Sequence, residues 1–505
     1  MNQLKAGAAL NYAVILLNIG VGLGYTPYLL RMLGQSEYGL YSLVASVISY
    51  LTLLDLGLGN AVVRYTAKYR AEGKVREQYE LFGMFLLLYT LIGVLAACAG
   101  AGLYHQMDAW FGDTLTADEL EKARIMILFL IFNLAFTFPL SIFGSILMAY
   151  ERFVFPKMLQ IVRILLNTAV MVVLLEMGYK AIAMVVLQTV LNLLTLWVHF
   201  FYCKYKLHIQ IHFRRFRWDW LREITVYSFW IFLSVIMDRI YWSTGQFVLA
   251  MFVNTAAVAV FSVAIQLSIL YMSFSTSISG VFLPKVTAMV TASDNRKEMS
   301  ALFIRTGRIQ FMVMILVLSG FLVFGKAFIR LWAGDGYQDA YLITLLFFGC
   351  LTVPMIQNLG ITILQARNQM RFRSLLYLVI AGVSLYFQYK GAETLGALGC
   401  AIAISGALLL GQGLIMNVYY HWCQGLDMIA FWKEIGRMAV IPVAVCALSF
   451  LLLSRFPVDS WFSLGVGILL YLMVYVPLFV RYAMNGYERE LLWMPFRKIK
   501  MRWIR

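Results

Sequence analysis

Apolar residues run in about fourteen stretches of membrane-spanning length, separated by short polar segments. A transmembrane helix needs about 20 predominantly apolar residues. The pattern predicts spans at Gly7–Leu30, Tyr38–Leu58, Leu81–Tyr104, Ala123–Met148, Lys157–Met177, Ala181–Cys203 and Ile224–Val253 in the first part of the chain. It continues with Thr255–Leu283, Arg308–Phe328, Ala340–Leu364, Phe372–Tyr389, Leu395–Tyr420, Met438–Ser454 and Phe462–Tyr482. The polar segments between them are too short for a soluble domain. Gly59–Glu80, Lys204–Glu223 and Pro284–Gly307 read as the largest cytoplasmic segments, and His105–Lys122 as the longest external one, short and acidic. No cleavable leader is expected at the N-terminus, where the first apolar stretch is long and lacks a small-residue cleavage site.

Composition agrees with this reading. Of the 505 residues 62% are hydrophobic and 13% charged, against roughly 45–50% and about 25% in soluble chains. The net charge of +16 would suit nucleic acid or an anionic membrane face. Placing the N-terminus in the cytoplasm puts most of the 41 lysines and arginines on that side, which follows the positive-inside rule. Both termini are then cytoplasmic, and no nucleic-acid partner is implied. None of the six cysteines falls in an external loop, so no structural disulfide is expected.

The chain also repeats. LRMLGQSEYGLYSLVAS from Leu30 matches LAMFVNTAAVAVFSVAI from Leu249, and LGLGNAVVRYTAKY from Leu56 lies over TSISGVFLPKVTAM from Thr276. SILMAYERF and TILQARNQMRF form a third pair, each following an intramembrane proline, Pro139 or Pro354. The offset is about 220 residues. The predicted fold is an all-α polytopic membrane protein of about 14 helices. Two six-helix lobes, residues 1–215 and 216–425, would be related by a pseudo-two-fold along the membrane normal. Residues 426–505 add two helices and a basic tail.

Enzyme motifs are weak. Gly320-x4-Gly325-Lys326 lacks the Ser or Thr that a phosphate loop needs, since Ala327 follows, and no strand precedes it. His208 and His212 lie in LHIQIHF, which alternates like a strand and has no neighbouring acid or cysteine to complete a metal site. No metal, cofactor or enzymatic activity is expected. Asp108, Asp113, Asp118, Glu119 and Glu121 resemble a glycosyltransferase's acidic loop in composition, but DELEKAR reads more simply as an acidic helix start. Trp110, Trp332 and Trp461 fit interfacial belts.

Charges inside the spans are the candidate chemistry, because an ion in hydrocarbon is costly and usually functional. Arg239 lies deep in the seventh span, and a cavity charge or an inter-helix ion pair would each explain it. Its neighbour Asp238 points about 100° away on a helix. Arg163, in the fifth span, suits a cavity or an interfacial anchor. Asp55 could couple a proton or cation, or accept hydrogen bonds at a glycine-rich helix break. Arg64, with Lys68 and Arg70, reads as a positive-inside anchor or a collector of phosphorylated headgroups. Arg31 sits at the outer end of the first span, against the local charge rule.

Thr26–Tyr69, TPYLLRMLGQSEYGLYSLVASVISYLTLLDLGLGNAVVRYTAKY, resembles the polysaccharide transporters of the multidrug/oligosaccharidyl-lipid/polysaccharide exporter superfamily, the O-antigen-type flippases. So does DRIYWSTGQFVLAMFVNTAAVAVFSVAIQL, Asp238–Leu267. The shared motif is LG-x3-YG-x-Y followed by a glycine-rich helix end and an arginine. The resemblance implies flipping of undecaprenyl-diphosphate-linked oligosaccharide across a bacterial inner membrane by alternating access, coupled to an ion gradient. Arg239, Arg163, Arg64 and Arg31 would then neutralise diphosphate or acidic sugars, and Asp238 or Asp55 would be cation-linked. Implied partners are the lipid-linked oligosaccharide, membrane lipids and polysaccharide polymerase machinery. A multidrug or cation antiporter of the same superfamily is the rival transporter; a membrane-embedded glycan polymerase or glycosyltransferase is the rival enzyme.

Overall fold

The structure is a computed structural model that describes residues 3–213, 229, 232–233, 235–279, 286, 289, 295–367, 369–453 and 458–490. These residues are almost wholly helical, with no strand among them. Eleven stretches are long and apolar enough to cross a membrane. Ala9–Ala71 is one of them, with 63 residues. At 1.5 Å per residue it would be about 95 Å long, three times the hydrocarbon thickness, so it cannot be one pass. It is broken twice. Gly34, at φ 77° and ψ 173°, interrupts α1 (Gln3–Leu51). A 3-10 turn at Thr52–Asp55, followed by left-handed Leu56 and Gly57, separates α1 from α2 (Leu58–Ala71).

The remaining elements follow in order. The first group is α3 (Val75–Phe111), α4 (Ala117–Ala149), α5 (Val154–Glu176), α6 (Ala181–Phe201) and α7 (Thr244–Phe252). Next come α8 (Thr255–Ser279), α9 (Arg296–Trp332), α10 (Ala340–Ile356), α11 (Asn358–Ala366) and α12 (Arg371–Leu408). A π-helical turn at Leu409–Ile415 leads into α13 (Met416–Trp422), then α14 (Met428–Leu453) and α15 (Trp461–Tyr482). The long stretch Arg371–Trp422 is broken in turn at Gly396.

The chain divides into two compact units, Met1–Ser262 with Leu385–Cys400, and Val263–Ser384 with Ala401–Arg505. Within the first, α7 packs on α1 and α3, so the division by contact does not follow the repeat boundaries at 215 and 425. Its core is built on Val62, Phe82, Phe85, Tyr89, Ile142 and Ile146.

Break points recur along the chain. Gly34 interrupts α1, and Asn254 separates α7 from α8, 220 residues later. Gly178 and Gly396, both at positive φ, are 218 apart. Pro139 and Pro354 each lie inside a helix. Helix ends are where sequence chemistry most directly fixes the backbone.

Two of the segments assigned to the cytoplasmic side are largely helical. Much of Gly59–Glu80 is helical, because Leu58, Ala61, Val62 and Tyr65 repeat at helical spacing and are buried, while Arg64, Lys68 and Arg70 are exposed. The high charge of the segment hid that periodicity. Arg296–Gly307, at the end of the segment Pro284–Gly307, is the first third of α9, whose start is capped by the Asn295 side chain accepting from the Lys297 N–H. The strand-like His208–His212 run forms no strand, His208 being at positive φ, and its His212 N–H donates to the Tyr79 carbonyl of α3 at 3.1 Å. Residues 214–223 of that loop, like most of the seventh span before 235, fall outside the described residues.

The acidic run at the start of α4 forms a capping box. The Thr116 hydroxyl accepts from the Glu119 N–H, and the Glu119 carboxylate accepts from the Thr116 N–H. Glu119 also receives the hydroxyls of Ser36 and Thr255, and Lys122 donates to Glu37 at 2.7 Å. Four helix beginnings are tied together there, since Glu37 also accepts from the Ala181 N–H.

Candidate functional site

Arg163 lies on α5, and the structure shows what holds it. Its Nη1 donates to the Asn192 side-chain oxygen at 3.3 Å. Asn192 donates in turn to Asn133 Oδ1 and Thr137 Oγ1, each at 2.8 Å, and Thr137 donates to Asn133. The cluster joins α4, α5 and α6 within the first unit. Its partners are amides and a hydroxyl; none is a carboxylate. Among the described residues the guanidinium is met by neutral dipoles.

Arg239 stands apart from that cluster. Its Nε is buried without a hydrogen-bond partner among the described residues, and Arg239 lies within electrostatic reach of Tyr50 on α1. The Tyr50 hydroxyl is hydrogen-bonded to Thr244 at the start of α7. Phe247, one turn further along, meets Tyr50, Phe111 and Trp110 edge-on. Trp110 therefore packs on a neighbouring aromatic cluster as well as lying at a helix end. Asp238 is exposed and Arg239 half-buried, so the adjacent pair faces different surroundings.

Asp55 closes the 3-10 turn before α2 and faces the N–H groups of Gly57 and Gly59 and the Tyr89 hydroxyl. A carboxylate in front of free N–H groups at a helix start is a capping arrangement. Arg64 is exposed on the polar face of α2, with its guanidinium 5.9 Å from the Tyr65 ring centroid. Arg31 is exposed on α1, one turn before the break at Gly34.

Several polar residues escape an inspection limited to charges. Gln188, Asn192, Thr195 and His199 occur on α6 at intervals of four, three and four, within about 60° of one another around the helix. Gln188 donates to the Tyr41 hydroxyl at 2.7 Å. That stripe is present in the sequence as spacing. Arg308 is different. It is buried on α9, with Nε and Nη2 on the Glu488 carboxylate at 2.6 and 2.8 Å, and Nη1 on Glu434. No local pattern announces partners 180 and 126 residues away.

The LG-x3-YG-x-Y motif now has a physical content. Gly34 supplies the positive φ that breaks α1. Tyr38 is buried, and Tyr41 receives Gln188. Gly39 lets the second half of α1 approach the backbone of Thr255 closely, with no room for a side chain.

Eleven described stretches of this length and apolarity define a multi-pass membrane protein. Residues 4–290 match the family model described as "Polysaccharide biosynthesis protein", and the chain belongs to that family. It is 23% identical to the uncharacterized membrane protein EpsK of Bacillus subtilis (strain 168), with 97% of each chain covered. It is 20% identical to a Shigella flexneri protein named "Putative O-antigen transporter", over 78% of this chain and 93% of that one. Among solved structures it resembles lipid II flippase MurJ in an inward closed conformation, with a TM-score of 0.73. That match covers 97% of this chain and 99% of the other at 15% identity, and speaks for the fold.

Proposed function

We propose that the chain is a flippase that moves undecaprenyl-diphosphate-linked oligosaccharide from the inner to the outer leaflet of a bacterial cytoplasmic membrane by alternating access. Both termini are cytoplasmic in this reading. The observation that carries it is the pair of intramembrane cations, Arg163 and Arg239, neither held by a carboxylate among the described residues. The membership of the polysaccharide biosynthesis family and the likeness to a protein named as a putative O-antigen transporter support this substrate class.

The physical problem is to carry a hydrophilic, anionic head through about 30 Å of hydrocarbon while the polyprenyl tail remains in lipid. Fixed guanidinium groups lower the cost of the diphosphate and can engage its oxygens bidentately. Arg64 and Arg31, towards the two ends of the N-terminal path, would receive and release the head. Asp238 and Asp55 are the candidate groups for coupling to an ion gradient. A drug or cation exporter would be expected to set acids, not bases, at this depth.

Replacing Arg239 by Ala is expected to lower flipping at least tenfold when the variant is returned to a deletion strain. Arg239→Lys should recover part of that loss, since charge is kept and bidentate geometry is not. Unflipped lipid-linked oligosaccharide is the quantity to measure. Wild-type flipping by a normally expressed Arg239→Ala protein would remove Arg239 from the mechanism.

A further inference from the structure

The second unit contains a helix interruption that its proline does not explain. Pro139 and Pro354 occupy matching places in the repeat. Yet α4 runs unbroken through Pro139 for 33 residues, whereas α10 stops at Ile356, just past Pro354. Gln357, at φ −107° and ψ 10°, separates α10 from α11. Side chains of another helix hold the backbone there. The Ser275 hydroxyl donates to the Met355 carbonyl at 2.6 Å, and the Asn358 amide donates to the Ser279 hydroxyl oxygen at 3.0 Å. Gly307 of α9 passes so close that an added Cβ would lie 2.8 Å from the Ile356 oxygen.

A second irregularity faces the first. The chain widens into the π-helical turn at Leu409–Ile415 before α13. Asn417, just beyond it, donates from Nδ2 to the Gly413 and Gln412 carbonyls. Its Oδ1 accepts the Trp432 indole N–H of α14 at 2.7 Å. Carbonyls only accept and an indole N–H only donates, so the Asn417 amide has one orientation. In that orientation it forms a reciprocal pair with the Gln357 side chain, at 2.9 and 3.2 Å. Gln357 is buried.

Satisfying the backbone at a break needs only a local polar side chain, as Ser275 shows. The Gln357–Asn417 pair does something further, because it joins the break in one helix to the widened turn in another. An unbroken helix resists bending, each turn being locked by its N–H to carbonyl bonds. Sharp bends fall instead at interruptions and π turns.

We propose that Gln357 and Asn417 form a paired hinge, through which α10–α11 and α12–α13 bend as one and Trp432 passes the movement to α14. Its use in transport rests on the flippase reading, in which bending of the second unit accompanies each cycle. Its existence does not.

Hydrogen–deuterium exchange of the full-length protein in lipid nanodiscs tests the hinge, because exchange reads slow local opening. Residues 355–361 and 409–417 should both exchange at least tenfold faster than residues 312–322 of α9. Gln357→Met keeps the bulk and leaves Asn417 its bonds to Gly413 and Trp432; it should change exchange of both segments at least threefold. Asn417→Leu should act on both in the same way. Gln357→Asn combined with Asn417→Gln restores an amide pair and should return both segments towards wild type. Ser449→Ala, which removes a bond to the Val445 carbonyl within α14, should alter neither. Wild-type segments as protected as α9, or a response confined to the mutated helix, would overturn the hinge. Should Asn417→Leu fail to fold, Gln357→Met alone decides, since its effect must appear across the pair at 409–417.

Transport is scored separately in the deletion strain. Gln357→Met at normal expression should slow flipping at least fivefold, and full transport would overturn the part given to the hinge. If the deletion strain accumulates no unflipped lipid, the flippase reading fails, while coupled exchange would still establish the hinge.

Discussion

Replacing Gly39 by Val is expected to eliminate the folded protein from membrane extracts, seen as loss of the monodisperse peak on size-exclusion chromatography. A Cβ at position 39 would lie 2.6 Å from the Thr255 carbonyl carbon and closer still to its oxygen. The obstacle is backbone, which cannot rotate away as a side-chain tip would. Either the second half of α1 or the start of α8 must move. That shift would pull on Ser36 and Thr255, which both bind Glu119, and on Glu37, which binds Lys122 and the Ala181 N–H. Overpacking typically costs about 1–3 kcal/mol; a backbone clash coupled to this network should exceed that. Gly20→Val on the same helix, with nothing within 4 Å of the added carbon, should leave the peak intact.

Arg308→Ala is expected to destabilise the second unit by about 3–5 kcal/mol, the usual cost of removing one partner from a buried ion pair. Glu488 is 1% exposed and would keep a carboxylate with its main counter-charge gone. The Ala483 carbonyl would lose the Nη2 donor as well. Thermal unfolding of detergent-solubilised protein should report a clear fall in midpoint. The double variant Arg308→Ala with Glu488→Gln should recover much of it, because the stranded charge is removed. An unchanged midpoint in the single variant would mean that water reaches the site. Transport can fall in these variants without any role for Arg308 in binding substrate, so the stability measurement comes first.

The contrast between these two residues shows what a sequence discloses. Gly34 and Gly39 sit in a short motif, and the turn at Gly34 follows from local chemistry: an apolar run, a glycine, then a polar pair. The capping box at Thr116 and Glu119 is local in the same sense, as are the apolar lengths of the spans. Arg308 is equally visible as a charge at a span boundary, yet Glu488 and Glu434 reach it only through tertiary packing.

The candidate site divides along the same line. The depth of Arg239 and Arg163 can be counted along the spans. That Arg163 rests on Asn192, and that Arg239 lies within electrostatic reach of Tyr50, cannot be counted. The polar stripe on α6 was available as a periodicity of four, three and four. It carries no formal charge, so it is missed when only ions are sought. On α2 the opposite happened, as a conspicuous charge cluster concealed an amphipathic helix.

The flippase proposed above would move a lipid-linked glycan between leaflets. The most direct test deletes the gene in its host and extracts lipid-linked oligosaccharides for mass spectrometry after labelling intact cells with a reagent restricted to the outer leaflet. The account predicts that one undecaprenyl-linked glycan accumulates unlabelled in the deletion strain, and becomes accessible to the label when the intact gene is restored. An unchanged lipid-linked pool with unchanged labelling, accompanied by altered drug sensitivity, would contradict it and favour an exporter of small cations.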